Sequence, residues 1–396
     1  MKQRPDKDQP HAFNRTDRST LGVWWWTVDH WLLGATLLLI ATGVVLSFTS
    51  SPAEAARLHL PDAFHFAIRQ SLFGLGAVVM VGAVSLLSAK GVRRLALVIY
   101  VLTILMMAAL PFIGQAAKGA SRWIELGGFS IQPSEFMKPA LIVLCGWMFA
   151  EGQKGEGVPG VSIAFVLYGI AVALLLIQPD VGQTVLITIA FGAAFFMAGV
   201  PIRWILGLGG AAAAGLVVVY FAFQHVAKRV HLFLAHDTGE SHSHQVDKAL
   251  EAIAAGGVFG RGPGEGVMKR HVPDGFTDFI YSVAAEEYGL VFSLALITVL
   301  GVVVVRGLYR AMKLTDPYEQ VASAALFVLL GQQAFINIAV NLKMIPTKGM
   351  TLPFISYGGS SMLAMGLTLG LALALTRRRP GAYVQPLGIA PAGAFA

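Results

Sequence analysis

The feature that most constrains this chain is an apolar run that keeps returning. Such runs lie near residues 32–48, 68–87, 95–113, 136–150, 161–177, 181–198, 205–223, 279–305, 321–342 and 357–376. About 20 helical residues cross the hydrocarbon of a bilayer, and most of these runs approach that length. Inside lipid the backbone must satisfy its own hydrogen bonds, which leaves helices or a closed barrel. Barrel strands alternate apolar and polar residues over about ten positions, and these runs do not alternate. The expected fold class is therefore an all-α polytopic membrane protein with about ten transmembrane helices. Composition agrees. The 396 residues are 56% hydrophobic and 13% charged, against about 25% charged in a soluble domain.

Basic residues orient the runs. Lys90, Arg93 and Arg94 follow the second, Lys154 the fourth and Arg203 the sixth. Arg306, Arg310 and Lys313 follow the eighth, and Arg377, Arg378 and Arg379 the tenth. With the basic amino-terminal segment, all fall on one side, so both termini are expected in the cytoplasm. That distribution accounts for the net charge of +7, and no nucleic-acid partner is expected. Residues 1–28 read as a disordered cytoplasmic tail without the apolar stretch of a secretory signal. Residues 29–379 form one ten-helix domain, with a large extracytoplasmic loop at 224–277 between helices 7 and 8, and 380–396 form a second cytoplasmic tail. The single cysteine, Cys145, lies in an apolar run and reads as a buried, inert thiol.

Four polar clusters collect on the external side. The first is "KGASRWIELGGFSIQPSEFMKPALI". Arg122 and Trp123 form a polar and aromatic lip; Gln132, Ser134 and Glu135 begin a helix that carries Lys138. Glu135 and Lys138 are three apart and can share a helix face. They form either an internal ion pair or a cavity-facing cation, since lysine inside a span is costly. The second is "IQPDVGQT", where Pro179 breaks a helix at Asp180. That aspartate sits either in an exposed turn or in a broken helix lining a cavity.

The third cluster is the long loop. "AHDTGESHSHQVDKA" holds metal-capable types at His236, Asp237, Glu240, His242, His244 and Asp247. Their spacing matches no ligand motif, and a solvated loop is the better reading. "FGRGPGEG" is glycine-rich but lacks the lysine-serine ending of a phosphate cradle. The loop ends in "HVPDGFTDFIYSVAAEEYGL", with Asp274 and Asp278 before a helix and Glu286 and Glu287 inside it. The fourth is "NLKMIPTKGMTLPFISYGGSS", with Lys343, Lys348 and Ser356; its prolines forbid a regular helix. Upstream, Gln333, Asn337 and Asn341 recur every four residues and share one helix face, as carboxamides that bond neighbouring helices do. Gly366 and Gly370 read as a small-residue packing pair.

Cations (Arg122, Lys138, Lys348) and carboxylates (Asp180, Asp278, Glu286, Glu287) thus converge from separate segments. Positive charge at a membrane surface suits an anionic headgroup such as a diphosphate, and a carboxylate beside it suits a general base. By position alone Asp278 reads equally as a helix N-cap. Glu286 and Glu287 point about 100° apart, so they cannot face one partner. At least one is expected in a structural ion pair, with Lys138 as the candidate partner.

"GASRWIELGGFSIQPSEFMKPALI", "QPDVGQT", "TDFIYSVAAEEYGL" and "PTKGMTLPFISYGGSS" together resemble the SEDS family of bacterial cell-wall proteins, over residues 25–379. Lys348 after Thr347 and the charged amino-terminal extension are more like its cell-division branch than its elongation branch. Two departures stand out: Lys343, where glycine is usual, and the histidine-rich loop. The resemblance implies a peptidoglycan glycosyltransferase that polymerises lipid II into β-1,4 glycan strands. It implies the bacterial inner membrane at the division septum, a class B penicillin-binding transpeptidase partner and other divisome membrane proteins. It implies Asp278, in Thr277-Asp278-Phe279, as the catalytic carboxylate, expected to act as a general base. It maps the family's basic residues onto Arg122, Lys138 and Lys348; with the cluster residues Trp123, Gln132, Ser134, Glu135, Asp180 and Ser356 they make the expected substrate-binding set. No organic cofactor is expected; a divalent cation, Mg or Mn, is the one cofactor candidate, with unknown ligands. A lipid II flippase and a non-catalytic divisome scaffold are the rival functions.

Overall fold

The computed structural model describes residues 19–377, apart from 114, 118–119, 127–128, 156, 200–201, 223–226, 228–230, 232–240 and 348. The chain runs through α1 (Thr20–Thr27), α2 (His30–Arg57), α3 (His65–Ser85) and α4 (Ala89–Ile113). A small antiparallel sheet follows, of β1 (Gln115–Ala117), β2 (Ala120–Leu126) and β3 (Phe129–Ile131). Then come α5 (Pro133–Gln153), α6 (Gly160–Ile177), α7 (Val181–Met197), α8 (Ile202–Ala222) and α9 (Ser241–Gly256). The last helices are α10 (Ile280–Ala311), α11 (Pro317–Asn341) and α12 (Gly359–Thr376).

Among the described residues, seven helices (α2, α3, α4, α6, α10, α11, α12) are long and apolar enough to cross a membrane. α7 and the 206–221 part of α8 are shorter apolar helices. With α5, whose 21 residues include Glu135 and Lys138, they account for the ten runs. This is a multi-pass helical membrane protein. The segment 224–277, expected as a loop, contains α9 and a 3-10 turn (Met268–Arg270).

α5 lies at the centre. It is buried nearly all round and packs against α4, α6, α7, α11 and α12, as a helix without a solvent face must. α3 runs along α12. A Cβ at Gly366 would lie 3.0 Å from the Ala77 carbonyl oxygen, and one at Gly370 would lie 2.8 Å from Val84 Cβ. The small residues are what let these helices approach.

α10 is not the single span expected from 279–305. Gly289 sits at φ 80° and breaks it. The break frees backbone groups on both sides, and residues 257–262 take them up. Arg261 and Gly262 N–H donate to the Glu286 and Glu287 carbonyls, each at 3.0 Å. Leu290 and Val291 N–H donate to the Gly257 and Val258 carbonyls, at 3.0 and 3.3 Å. The short helix before the break and the segment after α9 are thus one hydrogen-bonded unit.

The helix termini sort the polar residues into two ends. At one, Asp29 caps α2 and accepts from Arg306 Nε at 2.9 Å, with Arg310 Nε at 3.4 Å. Trp24 Nε1 donates to Ser85 Oγ there at 2.8 Å. The other end carries the clusters singled out from sequence.

Candidate active site

The spacing of four on α11 is what assembles this end. Asn337 Nδ2 donates to the Asp278 carbonyl (2.8 Å) and to the Met350 carbonyl (2.6 Å). Asn341 Nδ2 donates to the Asp278 carbonyl at 3.0 Å, and its Oδ1 accepts from Ser282 N–H and Oγ–H. Gln333 Nε2 donates to Thr351 O and Oγ1, at 3.2 and 3.3 Å. One helix face therefore holds the turn before α10 and the segment before α12 side by side.

That turn is closed by Asp274, whose carbonyl accepts from the Thr277, Asp278 and Phe279 N–H groups. Asp278 follows it, half-buried. The N-cap position of α10 is Phe279, and no side chain caps it, so Asp278 is not the helix N-cap. Across from it, Gly349 has φ 62°, and a Cβ there would come 3.4 Å from Asp278 Oδ2. Glycine takes that conformation at little cost, and a Cβ there would be in ordinary contact with the carboxylate. Ser356 is buried and ties the two edges together: its Oγ donates to the Thr277 carbonyl (2.5 Å) and accepts from Leu352 N–H (2.7 Å). Tyr357 N–H adds a bond to the Phe276 carbonyl at 2.9 Å. Gln70 Nε2 reaches the Ser356 carbonyl from α3 at 3.2 Å. The rings of Phe66, Phe276 and Tyr357 meet beside this turn.

A second centre adjoins the first through Gln333. Lys138 is fully buried, and its ammonium donates to Glu135 Oε2 (2.9 Å), Gln183 Oε1 (2.8 Å) and Gln333 Oε1 (3.3 Å). Gln183 Nε2 returns a bond to Glu135 Oε1 at 2.6 Å. Three donors meet three acceptors, so Lys138 is the internal ion pair and not the cavity-facing cation. Ser134 is buried with it, and Gln132 precedes α5 at the N-cap position.

Asp180 is buried too, not exposed in a turn. It caps α7 through Gln183 N–H (3.3 Å), and Arg122 Nε lies 3.6 Å from its Oδ2. Burial pushes its carboxyl above the ordinary value, and the Arg122 charge opposes that. Arg122, half-buried on β2, also donates to the Gln178 and Pro179 carbonyls, at 3.3 and 2.6 Å. Its neighbour Trp123 is exposed. Lys348 lies outside the described residues, as do His236, Asp237 and Glu240.

Glu286 and Glu287 are buried, but neither meets Lys138. Glu286 accepts from the Met268 and Lys269 N–H groups at 2.7 and 2.8 Å. Glu287 forms a salt bridge with the Lys269 ammonium, which also donates to the Thr49 and Gly264 carbonyls at 3.0 Å. The break at Gly289 turns the short helix toward 268–270, a partner that spacing along one helix does not reveal. Lys269 gave no signal in the sequence beyond a basic residue in a loop. Gln183, by contrast, lies inside the quoted "QPDVGQT".

The described residues include no group of three or more His, Cys, Asp or Glu that could hold a metal. Asp274 and Asp278 are the carboxylates of the α10 entrance turn, both half-buried. That set fits a hydrated divalent ion held chiefly by a ligand's phosphates, and does not fit a protein cage.

The family model described as "Cell cycle protein", covering FtsW, RodA and SpoVE, matches residues 30–380. A probable peptidoglycan glycosyltransferase FtsW from Caulobacter vibrioides is 70% identical over 94% of this chain and 95% of its own length. One of the same name from a Geobacter species is 32% identical over 89% of this chain and 98% of its own. A chain from a structure on the coordination of polymerization and crosslinking by a peptidoglycan synthase complex superposes with a TM-score of 0.74 at 25% identity, covering 89% of this chain and 98% of that one. The Thermus thermophilus rod shape determining protein RodA does so at 0.65 and 27% identity, over 89% and 97%. The match over residues 30–380 and the identities to these relatives show the family, and the chain belongs to the SEDS family of FtsW, RodA and SpoVE cell cycle proteins.

Proposed function

We propose that this protein is a peptidoglycan glycosyltransferase that polymerises lipid II into β-1,4 glycan strands at the division septum. The names of its relatives support the activity, peptidoglycan glycosyl transfer, and lipid II as the substrate belongs to this proposal. The observation that carries the mechanism is the placement of Asp278, half-buried on a turn bonded from two directions.

In this reading a sugar 4-hydroxyl attacks the anomeric carbon of a lipid-linked sugar. The bond from that carbon to the polyprenyl diphosphate breaks, and the configuration inverts. The hydroxyl proton passes to the Asp278 carboxylate, a step worth about 10²–10⁴ in rate. One carboxylate suffices, because no covalent glycosyl-enzyme forms. Arg122 and Lys348 supply positive charge for the diphosphate. Arg122 has five N–H groups, and the bonds above use its Nε and one Nη. Lys138 contributes by fixing α5, α7 and α11, and Trp123, Gln132, Ser134, Glu135, Asp180 and Ser356 shape the site around it. A divalent cation, Mg or Mn, would neutralise diphosphate oxygens when bound.

Both termini lie in the cytoplasm in this reading, so the site opens where lipid-linked sugars arrive. A class B penicillin-binding transpeptidase and other divisome membrane proteins are its partners. The test uses purified full-length protein, lipid II and the transpeptidase. Wild type makes glycan chains, and Asp278→Asn folds and inserts but loses at least about 100-fold in rate. An Asp278→Asn protein with full activity ends the assignment. Lipid II movement without polymer supports a flippase instead, and neither activity supports a scaffold.

A further inference from the structure

Asn337 and Asn341 are buried, and between them they bond to both edges of the site. The two hydrogens of Asn337 Nδ2 go to the Asp278 carbonyl and the Met350 carbonyl, so one nitrogen sets the distance between the edges. Asn341 adds a second donor to the Asp278 carbonyl and a third to the Asn337 carbonyl at 2.9 Å. Its Oδ1 accepts from Ser282 N–H (3.2 Å) and Oγ–H (2.6 Å). α10 has no side-chain cap of its own, so Asn341 supplies one from α11. The two donors on the Asp278 carbonyl fix the peptide plane after its Cα, the Asp278 N–H bond to the Asp274 carbonyl (3.1 Å) fixes the plane before it, and the two planes together set the direction of the Cα–Cβ bond.

We infer that Asn337 and Asn341 are positioning residues that aim the Asp278 carboxylate across from the 349–351 backbone. This rests on the reading of Asp278 as the base and adds the residues that hold it. Simple helix-to-helix adhesion would not need both amides on one carbonyl of the reacting turn. Misplacing a reacting group by about 1 Å costs on the order of 10²-fold in rate. The amides act on the ground-state geometry of the enzyme, so the loss falls on kcat.

Asn337→Asp is isosteric and removes both donated bonds. Asn341→Asp removes the bond to Asp278 yet keeps the acceptor for Ser282. Asn337→Ser avoids a buried charge, should Asn337→Asp fail to fold, and is too short to reach both carbonyls. Each is purified as the full chain, and lipid II polymerisation is measured alongside hydrogen exchange. The expected result is a kcat about 100-fold lower with KM for lipid II within about threefold of wild type. Amide exchange should quicken in 274–282 and 347–352 for the Asn337 variants, and in 274–282 alone for Asn341→Asp. Unchanged exchange, unchanged kcat, or a rise in KM alone overturns the inference. Asp278→Asn, assayed in parallel, separates the two ideas. Full activity there removes the base itself, whereas an inactive Asp278→Asn beside fully active Asn variants removes only the positioning role.

Discussion

At the scale of single residues, two lysines are buried among the described residues and are neutralised differently. Lys138 shares its charge among Glu135 and two carboxamides. Lys269 meets Glu287 directly. Removing one partner of a buried pair leaves an uncompensated charge, at a cost of about 3–5 kcal/mol. Lys269→Met should therefore lower the thermal midpoint in detergent sharply, and adding Glu287→Gln should restore part of it. A double variant no more stable than Lys269→Met would contradict the pairing. At the opposite end, burial alone would raise the Asp29 carboxyl, but Arg306, the Leu32 N–H and Arg310 together hold it below its ordinary 3.8. A depressed carboxyl stabilises the fold above its unfolded value and stops doing so as pH falls through the folded one. The thermal midpoints of wild type and Asp29→Asn should differ most at neutral pH and converge below about pH 4. A gap that widens toward acid would refute the clasp.

At the scale of elements, the decisive object is the break in α10. A Cβ at Gly289 would lie 2.3 Å from Gly260 N and 2.5 Å from the Val258 carbonyl oxygen, and φ 80° is itself unfavourable for any other residue. Gly289→Ala should separate 257–262 from the helix and release four backbone bonds. The expected outcome is poor accumulation, or faster hydrogen exchange across 256–291 in whatever folds. Normal yield with unchanged exchange would show that the splice tolerates a side chain. The Lys343–Asp247 ion pair is a different case. It ties α9 to the end of α11 at 2.6 Å, but both groups are partly exposed. Asp247→Asn should change stability by less than about 1 kcal/mol, as read from unfolding midpoints. Lys343 itself sits at φ 57°, a conformation that glycine would adopt at less cost.

At the scale of the whole molecule, alternation of ten helices places the described parts of the polar clusters at one end and most basic flanks at the other. Under the proposed function the positive-inside rule faces the Asp278 end outward. A topology reporter inserted at Gly239 should read extracytoplasmic. A cytoplasmic reading would put lipid-linked sugars and the site on opposite sides, and the proposed function would fall with it.

The ten apolar runs, the central ionisable helix, the Glu135–Lys138 pair and the carboxamide face of α11 are all local in sequence. Period and spacing therefore mark them without a fold, although only the structure decides whether Lys138 is paired inside or faces a cavity, through its bonds to Glu135, Gln183 and Gln333. The tertiary structure alone decided what those groups face. The break at Gly289 carries no periodicity signal, because one glycine in an apolar run looks like any other. It is stable only with a partner segment some 30 residues upstream in the chain. That same break moved the partner of Glu287 from Lys138 to Lys269. Asp278 had no feature of its own to separate it from a helix cap. What separates it is a pair of amides about 60 residues away, which bond its carbonyl and leave α10 capped by another helix.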